Sequence, residues 1–209
     1  MIGIIDYEAG NLGSVTNACH FLDIGAKVIN QPNELAGCHA IILPGQGAFG
    51  DCMSNLRKAG FEGPVKEWIA AGRPFFGICV GLQALYEGSE ESPGVPGLGL
   101  LPGVIRRFKE QPGLKVPQMG WNQVRQQQKD CPLFNHLPDE AFVYFVHSYY
   151  AEAGGEAVAG TTTYGIAYAS MVWRDNMMAV QFHPEKSQKV GLTMLENFAD
   201  WAYERTAAR

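Results

Sequence analysis

One cysteine of this sequence is placed for covalent chemistry. Cys79 lies between Gly77 and Gly81, after an apolar run of strand length and before apolar residues at helical spacing. A strand, a sharp turn and a helix in that order predict a nucleophile elbow, in which small neighbours relieve crowding of the backbone. The start of the helix would favour the thiolate, which is the reactive form. A buried cysteine that serves only as a small hydrophobic side chain is the alternative.

A histidine and a glutamate form a second candidate group. His183 and Glu185 are separated by Pro184 and follow an apolar run that predicts a strand at 177–182. A cysteine nucleophile needs a base that takes its proton and returns it to the leaving group, and that base needs an orienting acceptor. The pair could instead bind a metal or lie at an ordinary strand end, but no third ligand at a suitable spacing accompanies it. We therefore predict Cys79, His183 and Glu185 as the catalytic residues and no metal site.

A glycine-rich segment follows another predicted strand, at 40–43. Gly45 and Gly47 surround Gln46, and two glycines around one residue let a peptide plane turn so that a backbone N–H can face an oxyanion. Taken alone, the segment favours a plain turn. Beside a nucleophile elbow it becomes a candidate oxyanion loop.

The elements that must position these residues alternate between strand and helix in the first half of the chain. Continuously apolar strands between amphipathic helices indicate a parallel sheet that is covered on both faces and binds ligands beyond the carboxyl ends of its strands. The predicted strands of this half are 2–5, 26–29, 40–43 and 75–78, and the predicted helices are 12–22, capped by Asn11, and 64–71.

The second half differs, because Gly and Pro are dense between Glu87 and Pro117 around one strand near 104–108. Strands at 142–146, 166–173 and 177–182 precede a final helix that starts near Ser187, and Asp175-Asn176 predicts a hairpin turn. We therefore predict one domain, residues 1–209, with an α/β fold: a doubly wound, mostly parallel, flavodoxin-like sheet with an antiparallel extension.

Composition excludes several kinds of partner and compartment. Sixteen basic against twenty-one acidic residues, with no Lys/Arg run, disfavour nucleic acid and anionic membranes as partners. The start of the sequence lacks the basic segment of a signal peptide, and no apolar run approaches the length that spans a membrane. Five scattered cysteines without a CxxC pair argue against a disulfide framework and a structural zinc site. We expect a cytoplasmic protein.

Seven segments, two of which overlap, carry a resemblance to a known family. Residues 77–83, 44–49 and 181–187 are similar to the signatures of class I (triad) glutamine amidotransferases. Three narrower segments, 115–122, 144–149 and 183–188, resemble those of the glutaminase subunits of imidazole glycerol phosphate synthases, as does the start at residues 6–12. The resemblance runs from the first predicted strand to the last predicted helix.

The resemblance implies a reaction and a pocket. Cys79 would attack the side-chain amide of L-glutamine, with the backbone N–H groups of Gln46 and Val80 facing the oxyanion, and His183, oriented by Glu185, would protonate the departing ammonia. No cofactor is implied. The residues that would shape the glutamine pocket are Gly45, Gly47, Gln83, His147, Ser148 and Tyr149. From the sequence alone, Gln83 could instead be a helix-surface residue and the aromatic residues could be core.

The resemblance also implies a partner, a (β/α)8-barrel cyclase subunit that forms a heterodimer with this chain and consumes the ammonia. The residues expected at the docking surface are Asn11, Trp121, Asn122, Lys186, Ser187 and Gln188. A buried, structural Trp121 is the alternative. The rival functions are the glutaminase subunit of another amidotransferase, such as anthranilate or pyridoxal phosphate synthase, a stand-alone γ-glutamyl hydrolase or cysteine peptidase, and a non-catalytic module.

Two residues depart from the pattern of the family. Gln46 replaces a small apolar residue in the glycine-rich loop, and Gln118 replaces a histidine. We expect the first to change the energetics of the loop and the second to alter a partner contact.

Overall fold

A computed structural model describes residues 1–207, which contain twelve strands and five α-helices. The strands are β1 (Ile2–Ile5), β2 (Ala26–Ile29), β3 (Ala40–Gly45), β4 (Phe75–Cys79), β5 (Gly88–Ser89), β6 (Val104–Arg107), β7 (Gln118–Gln126), β8 (Ala141–His147), β9 (Tyr149–Glu152), β10 (Val158–Tyr164), β11 (Ile166–Arg174) and β12 (Met177–Val180). The helices are α1 (Leu12–Phe21), α2 (Phe49–Lys58), α3 (Glu62–Ala70), α4 (Val80–Gln83) and α5 (Gln188–Ala207). None of these helices is long and apolar enough to cross a lipid bilayer.

Five adjacent strands run parallel, in the order β2-β1-β3-β4-β12, and we call them the parallel section. Strands β1, β3, β4 and β12 are buried along their whole length, as expected for a sheet covered on both faces. On one side, Phe198 of α5 stacks on Phe76 of β4 with ring centroids 5.0 Å apart. Because the strands are parallel, the carboxyl ends of β3, β4 and β12 meet at one edge, where Gly45 is in register with Cys79.

The sheet continues beyond β12 through the antiparallel strands β11, β10, β7 and β8, and β9 also pairs with β11. We call these five strands the antiparallel section. The hairpin between β11 and β12 turns at Asp175, whose positive φ of 56° suits a tight turn. This architecture confirms the predicted α/β fold with an antiparallel extension.

Several elements differ from their predictions. Helix α3 begins at Glu62, two residues before Pro64, and β12 ends at Val180 instead of 182. Helix α2 was not predicted, although its buried residues Phe49, Cys52, Met53 and Leu56 recur at helical spacing. Strands β7, β9 and β10 were also not predicted, because their polar, glycine and threonine positions interrupt the hydrophobic alternation that marks a strand.

Candidate active site

The cysteine elbow forms at the end of β4, as its sequence predicts. Cys79 has φ 56° and ψ −108°, a backbone conformation that non-glycine residues rarely adopt and that is typical of strained functional sites. A Cβ on Gly81 would lie 2.1 Å from the backbone oxygen of Leu43, and a Cβ on Gly77 would lie 2.7 Å from the backbone oxygen of Gly81. The elbow is therefore held by direct backbone contact that only glycine permits.

His183 and Glu185 lie beyond the end of β12, the strand that pairs with β4. His183 Nδ1 lies 2.8 Å from Glu185 Oε1, and the side chains are only 2% and 1% exposed. Because a carboxylate accepts hydrogen bonds, Nδ1 carries the proton it donates. Within the described residues, His183 Nε2 forms no hydrogen bond, so this nitrogen is available to the reacting groups.

Charge around the histidine favours its protonated form. Burial alone would lower the pKa of His183, but electrostatic interaction with the nearby Cys79 sulfur and the hydrogen bond to Glu185 together raise that pKa to about 10. An imidazolium next to Cys79 stabilises a negatively charged sulfur, which is the form that attacks carbonyl carbons. Cys79, His183 and Glu185 thus have the geometry and the charge of a nucleophile, a base and its orienting acceptor.

These groups open onto a cavity of about 300 Å³. The residues that line it are Gln46, Gly47, Cys79, Val80, Gln83, Glu91, Pro117, Val146, His147, Ser148, Tyr149 and His183. A larger cavity of about 600 Å³ lies beside α5, but none of the predicted site residues lines it. The structure therefore brings nearly all of the predicted catalytic, oxyanion and pocket residues to one cavity.

The glycine-rich loop packs directly on the elbow. A Cβ on Gly45 would lie 2.7 Å from Cβ of Val80, and Gly47 has a φ of 100°, which favours glycine. Two side-chain hydrogen bonds fix the backbone of this loop. The hydroxyl of Tyr7 donates to the Pro44 carbonyl at 2.7 Å, and the thiol of Cys52 donates to the Gln46 carbonyl at 3.4 Å.

Polar side chains form the opposite wall. Gln83 is buried and its Nε2 donates to the carbonyl of Tyr149 at 3.2 Å, so the alternative of a helix-surface Gln83 is wrong. His147 Nδ1 lies 2.8 Å from the same carbonyl. Burial lowers the pKa of His147 to about 4, so this side chain is neutral at pH 7 and donates from Nδ1 to the carbonyl.

Comparison with known proteins identifies the family. Residues 4–201 match the model of the family described as Glutamine amidotransferase class-I. The chain belongs to the class I glutamine amidotransferase family. The resemblance predicted from the sequence is therefore confirmed.

Individual relatives match nearly the whole amidotransferase chain. It is 49% identical to imidazole glycerol phosphate synthase subunit HisH of Desulfitobacterium hafniense (strain DSM 10664 / DCB-2), over 98% of this chain and 96% of the relative. It is 45% identical to the subunit of the same name from Acaryochloris marina (strain MBIC 11017), over 96% of this chain and 94% of the relative. Among solved structures, a glutamine amidotransferase superposes with a TM-score of 0.74 at 22% identity, covering 97% of this chain and 98% of that one. PurLQS from Thermotoga maritima gives 0.75 at 16% identity, covering 96% and 97%. The structural matches support the fold.

Sequence reasoning missed three residues that line the amidotransferase cavity, namely Glu91, Pro117 and Val146. Glu91 accepts a hydrogen bond from the backbone N–H of Phe49 at 2.7 Å, at the start of α2. No local motif marks it, because it lies in the loop after β5 and contacts the start of α2, which is 42 residues earlier in the chain. Val146 lies between the buried residues Phe145 and His147 of β8. This alternation could have predicted that Val146 lies on the opposite face of the strand from the core.

Some of the residues expected at the docking surface are exposed, whereas others form hydrogen bonds within the chain. Trp121 is 46% exposed, so the alternative of a buried, structural Trp121 is wrong, and Gln188 is exposed while Lys186 is partly so. Asn11 caps α1 by accepting from the N–H of Ser14 at 3.4 Å. Asn122 is partly buried and donates from Nδ2 to the Thr163 carbonyl at 2.9 Å.

Ser187 and Gln118 need correction. Ser187 is buried, with its hydroxyl donating to the His183 carbonyl at 2.7 Å and accepting from the Tyr144 N–H at 2.9 Å, so it supports the triad from within and does not lie on a docking surface. Gln118 is also buried and accepts from the hydroxyl of Tyr168 at 2.9 Å. The expected contact of the Gln118 side chain with a partner is therefore wrong, because this side chain is buried within the chain.

Proposed function

We propose that this chain is the glutaminase subunit of an imidazole glycerol phosphate synthase and acts in histidine biosynthesis in the cytoplasm. The observation that carries the chemistry is Cys79 on a strained elbow, in one cavity with a His183 that is buried and paired with Glu185. The choice of synthase is supported by the relatives named as imidazole glycerol phosphate synthase subunit HisH, which match this chain over almost their full length.

The proposed first half-reaction forms a thioester. The Cys79 sulfur attacks the side-chain amide carbon of L-glutamine, and a C–S bond forms while the carbonyl oxygen becomes an oxyanion that the N–H groups of Val80 and Gln46 face. His183 gives its proton to the amide nitrogen, the C–N bond breaks, and ammonia leaves. Donors aimed at such an oxyanion are each worth about 3 kcal/mol of barrier.

Water completes the cycle. His183, neutral after giving up its proton, takes a proton from water, which attacks the glutamyl thioester and releases glutamate and the Cys79 sulfur. Glu185 stays ionised and keeps the imidazole ring oriented through Nδ1. No cofactor enters either half-reaction.

The cavity suits a single free amino acid. Its lining combines the carboxylate of Glu91, which complements the α-ammonium group of glutamine, with the wall formed by Gln83, His147, Ser148 and Tyr149. Gly45 and Gly47 keep the opposite loop close to the elbow. Glu91 is therefore our candidate for recognition of the amino group.

The ammonia is proposed to pass to a (β/α)8-barrel cyclase subunit that forms a heterodimer with this chain. An exposed apolar surface supports a docking role: Met119, Trp121 and Phe142 are 65%, 46% and 54% exposed on adjacent strands β7 and β8. We call these three residues the apolar face. Met119 is in register with Val146, which lines the cavity, so this surface extends to the mouth of the site.

Glutamate release from glutamine, measured with and without the cyclase subunit and its nucleotide ligand, tests the proposal. We expect slow release by the isolated chain and strong stimulation by the liganded partner. Equal rates with and without the partner would contradict the synthase and indicate a stand-alone hydrolase.

The nucleophile is tested in the same complex. Cys79→Ala should abolish glutamine-dependent product formation but preserve product formation from added ammonium salts. Cys19→Ala is the matched control, because Cys19 is buried in α1 and does not line the cavity. Glutamine-dependent turnover by Cys79→Ala at the rate of the control would overturn the role of Cys79.

A further inference from the structure

We propose that Gln181 stabilises the thiolate of Cys79 by donating a hydrogen bond from its side-chain amide, and that Gln83 locks this amide in the donating orientation. The inference rests on the proposed role of Cys79 as nucleophile and adds to it a residue that neither the predicted triad nor the cavity lining contains. Its test uses the sulfur alone, without glutamine or a partner.

Gln181 is fixed at the point where β12 meets the elbow. It directly follows Val180, which is in register with Ile78 of β4, and its backbone N–H donates to the Ser170 carbonyl at 2.9 Å. The residue is fully buried. Its side-chain Nε2 lies 3.7 Å from Cys79 Sγ, a distance that reflects the large radius of sulfur.

The orientation of the Gln181 amide follows from its neighbours. The backbone carbonyl of Tyr149 can only accept hydrogen bonds, so the Gln83 group that lies 3.2 Å from it is the amino group. The same Gln83 nitrogen lies 3.1 Å from Gln181 Oε1, and its two hydrogens serve the two acceptors. Gln181 therefore turns its oxygen to Gln83 and its amino group to the Cys79 sulfur.

The other end of this network is equally fixed. The carbonyl of Tyr149 also accepts from Nδ1 of the neutral His147, at 2.8 Å. His147 and Gln83 are both buried, which strengthens these bonds relative to bonds in open water. A reversed Gln181 amide would face its amino group to that of Gln83 and leave its oxygen against the sulfur, which loses both hydrogen bonds.

An amide donor distinguishes the two ionisation states of the sulfur. A hydrogen bond to a charged acceptor is stronger than the bond to its neutral form, so the donor favours the thiolate. His183 provides the positive charge from one side of the sulfur, and Gln181 provides a neutral donor that carries no proton the reaction could remove. Gln181 therefore holds the thiolate without taking part in proton transfer.

Alkylation of the isolated chain by iodoacetamide as a function of pH tests the proposal, with peptide mass spectrometry assigning the modification to Cys79. Burial raises the pKa of Cys19 and Cys52 to about 11 and that of Cys131 to about 12. These three thiols therefore stay protonated at pH 7 and compete little with Cys79 for the reagent. Gln181→Met keeps a similar volume and removes the donor. We expect alkylation of Cys79 at pH 7 to slow by about tenfold, while the rates of variant and wild type converge at alkaline pH, where both sulfurs are ionised.

A second variant keeps the test decisive if Gln181→Met does not fold. Gln181→Asn keeps a neutral amide but is one methylene shorter, so it withdraws the donor from the sulfur without adding a charge, and the pH midpoint of alkylation should move upward. Gln127→Met, on an exposed glutamine outside the cavity, is the matched control and should behave as wild type.

An unchanged pH profile in a folded Gln181 variant would overturn the inference. A rate that stays depressed at alkaline pH would also overturn it, because it would mean that Gln181 only shapes the site. A wild-type Cys79 no more reactive at pH 7 than the buried cysteines would instead overturn the proposed nucleophile.

Discussion

In the parallel section the nucleophile elbow is held by close backbone contacts, whereas in the antiparallel section the pocket wall is held by hydrogen bonds. Strand β4, helix α4 and strand β3 approach so closely that Gly77, Gly81 and Gly45 leave no room for a Cβ. Across the cavity, His147 and Tyr149 at the ends of β8 and β9 contribute an imidazole and a carbonyl joined by a hydrogen bond. The nucleophile is thus positioned by steric constraint and the pocket wall by polar contacts.

This difference has a consequence for how each region responds to substitution. A change at a backbone contact must move a strand, because a backbone neighbour cannot rotate away. A change at a polar side chain alters charge, proton binding or recognition and leaves the sheet in place. We therefore expect substitutions in the parallel section to act on folding or turnover, and those in the antiparallel section to act on pH dependence or association.

The largest effect is expected at Gly81. Gly81→Ala would place a Cβ 2.1 Å from the Leu43 backbone oxygen, and the loss of folding free energy should exceed about 4 kcal/mol. Gly13→Ala is the control, because a Cβ at Gly13 in α1 meets nothing within 4 Å and should stabilise the helix by up to about 1 kcal/mol. Urea unfolding measures both, and equal midpoints for the two variants would contradict the backbone account.

The next largest effect concerns the histidine. His183→Ala removes both the charge beside the sulfur and the proton donor to ammonia, so glutamine hydrolysis by the complex should fall by roughly 10³-fold or more. Glu185→Gln should be milder, since an amide oxygen can still accept from Nδ1 and orient the ring. Steady-state glutamate release measures both, and a Glu185→Gln enzyme as inactive as His183→Ala would mean that the carboxylate charge, and not orientation, is required.

In the antiparallel section, the buried His147 should make stability depend on pH. Its folded pKa of about 4 lies below the ordinary value of 6.5, so the unfolded chain binds more protons between these pH values. The free energy of unfolding should therefore fall as the pH decreases from 6.5 to 4, by about 3 kcal/mol from this residue.

His147→Gln should flatten that dependence relative to wild type, and His20→Gln, on the exposed face of α1, should not. Urea unfolding at several pH values compares the three proteins. The same acid slope in His147→Gln and wild type would show that His147 does not carry it.

The smallest effect is expected on the apolar face. Trp121→Ala should weaken binding of the cyclase subunit by about 2 kcal/mol, or about 30-fold, while leaving the melting temperature within a few degrees of wild type. Phe21→Ala, an exposed aromatic residue of α1, is the control and should bind normally. Unchanged affinity together with a lower melting temperature would show that Trp121 stabilises the fold and does not contribute to partner binding.

The two regions also differ in how far sequence reasoning predicts them. Strands β1 and β2 and the start of α1 were predicted at their observed bounds, because short apolar runs and the Asn11 cap are local signals. The positions of Cys79 and His183 could likewise be inferred from local motifs. Strand β10 could not, since glycine and threonine residues follow no hydrophobic alternation. Gln181 was also missed, because its contact with Cys79 depends on the pairing of β12 with β4, which joins residues about a hundred positions apart.

Acid quenching during turnover tests the central claim, covalent catalysis by Cys79, most directly. The complex with its cyclase subunit and nucleotide ligand is mixed with isotope-labelled glutamine, quenched, digested and analysed by mass spectrometry. The account predicts a labelled glutamyl group on the peptide that contains Cys79, formed as fast as glutamate is released and absent from Cys79→Ala. Steady glutamate release without this adduct, or with label on another residue, would contradict it.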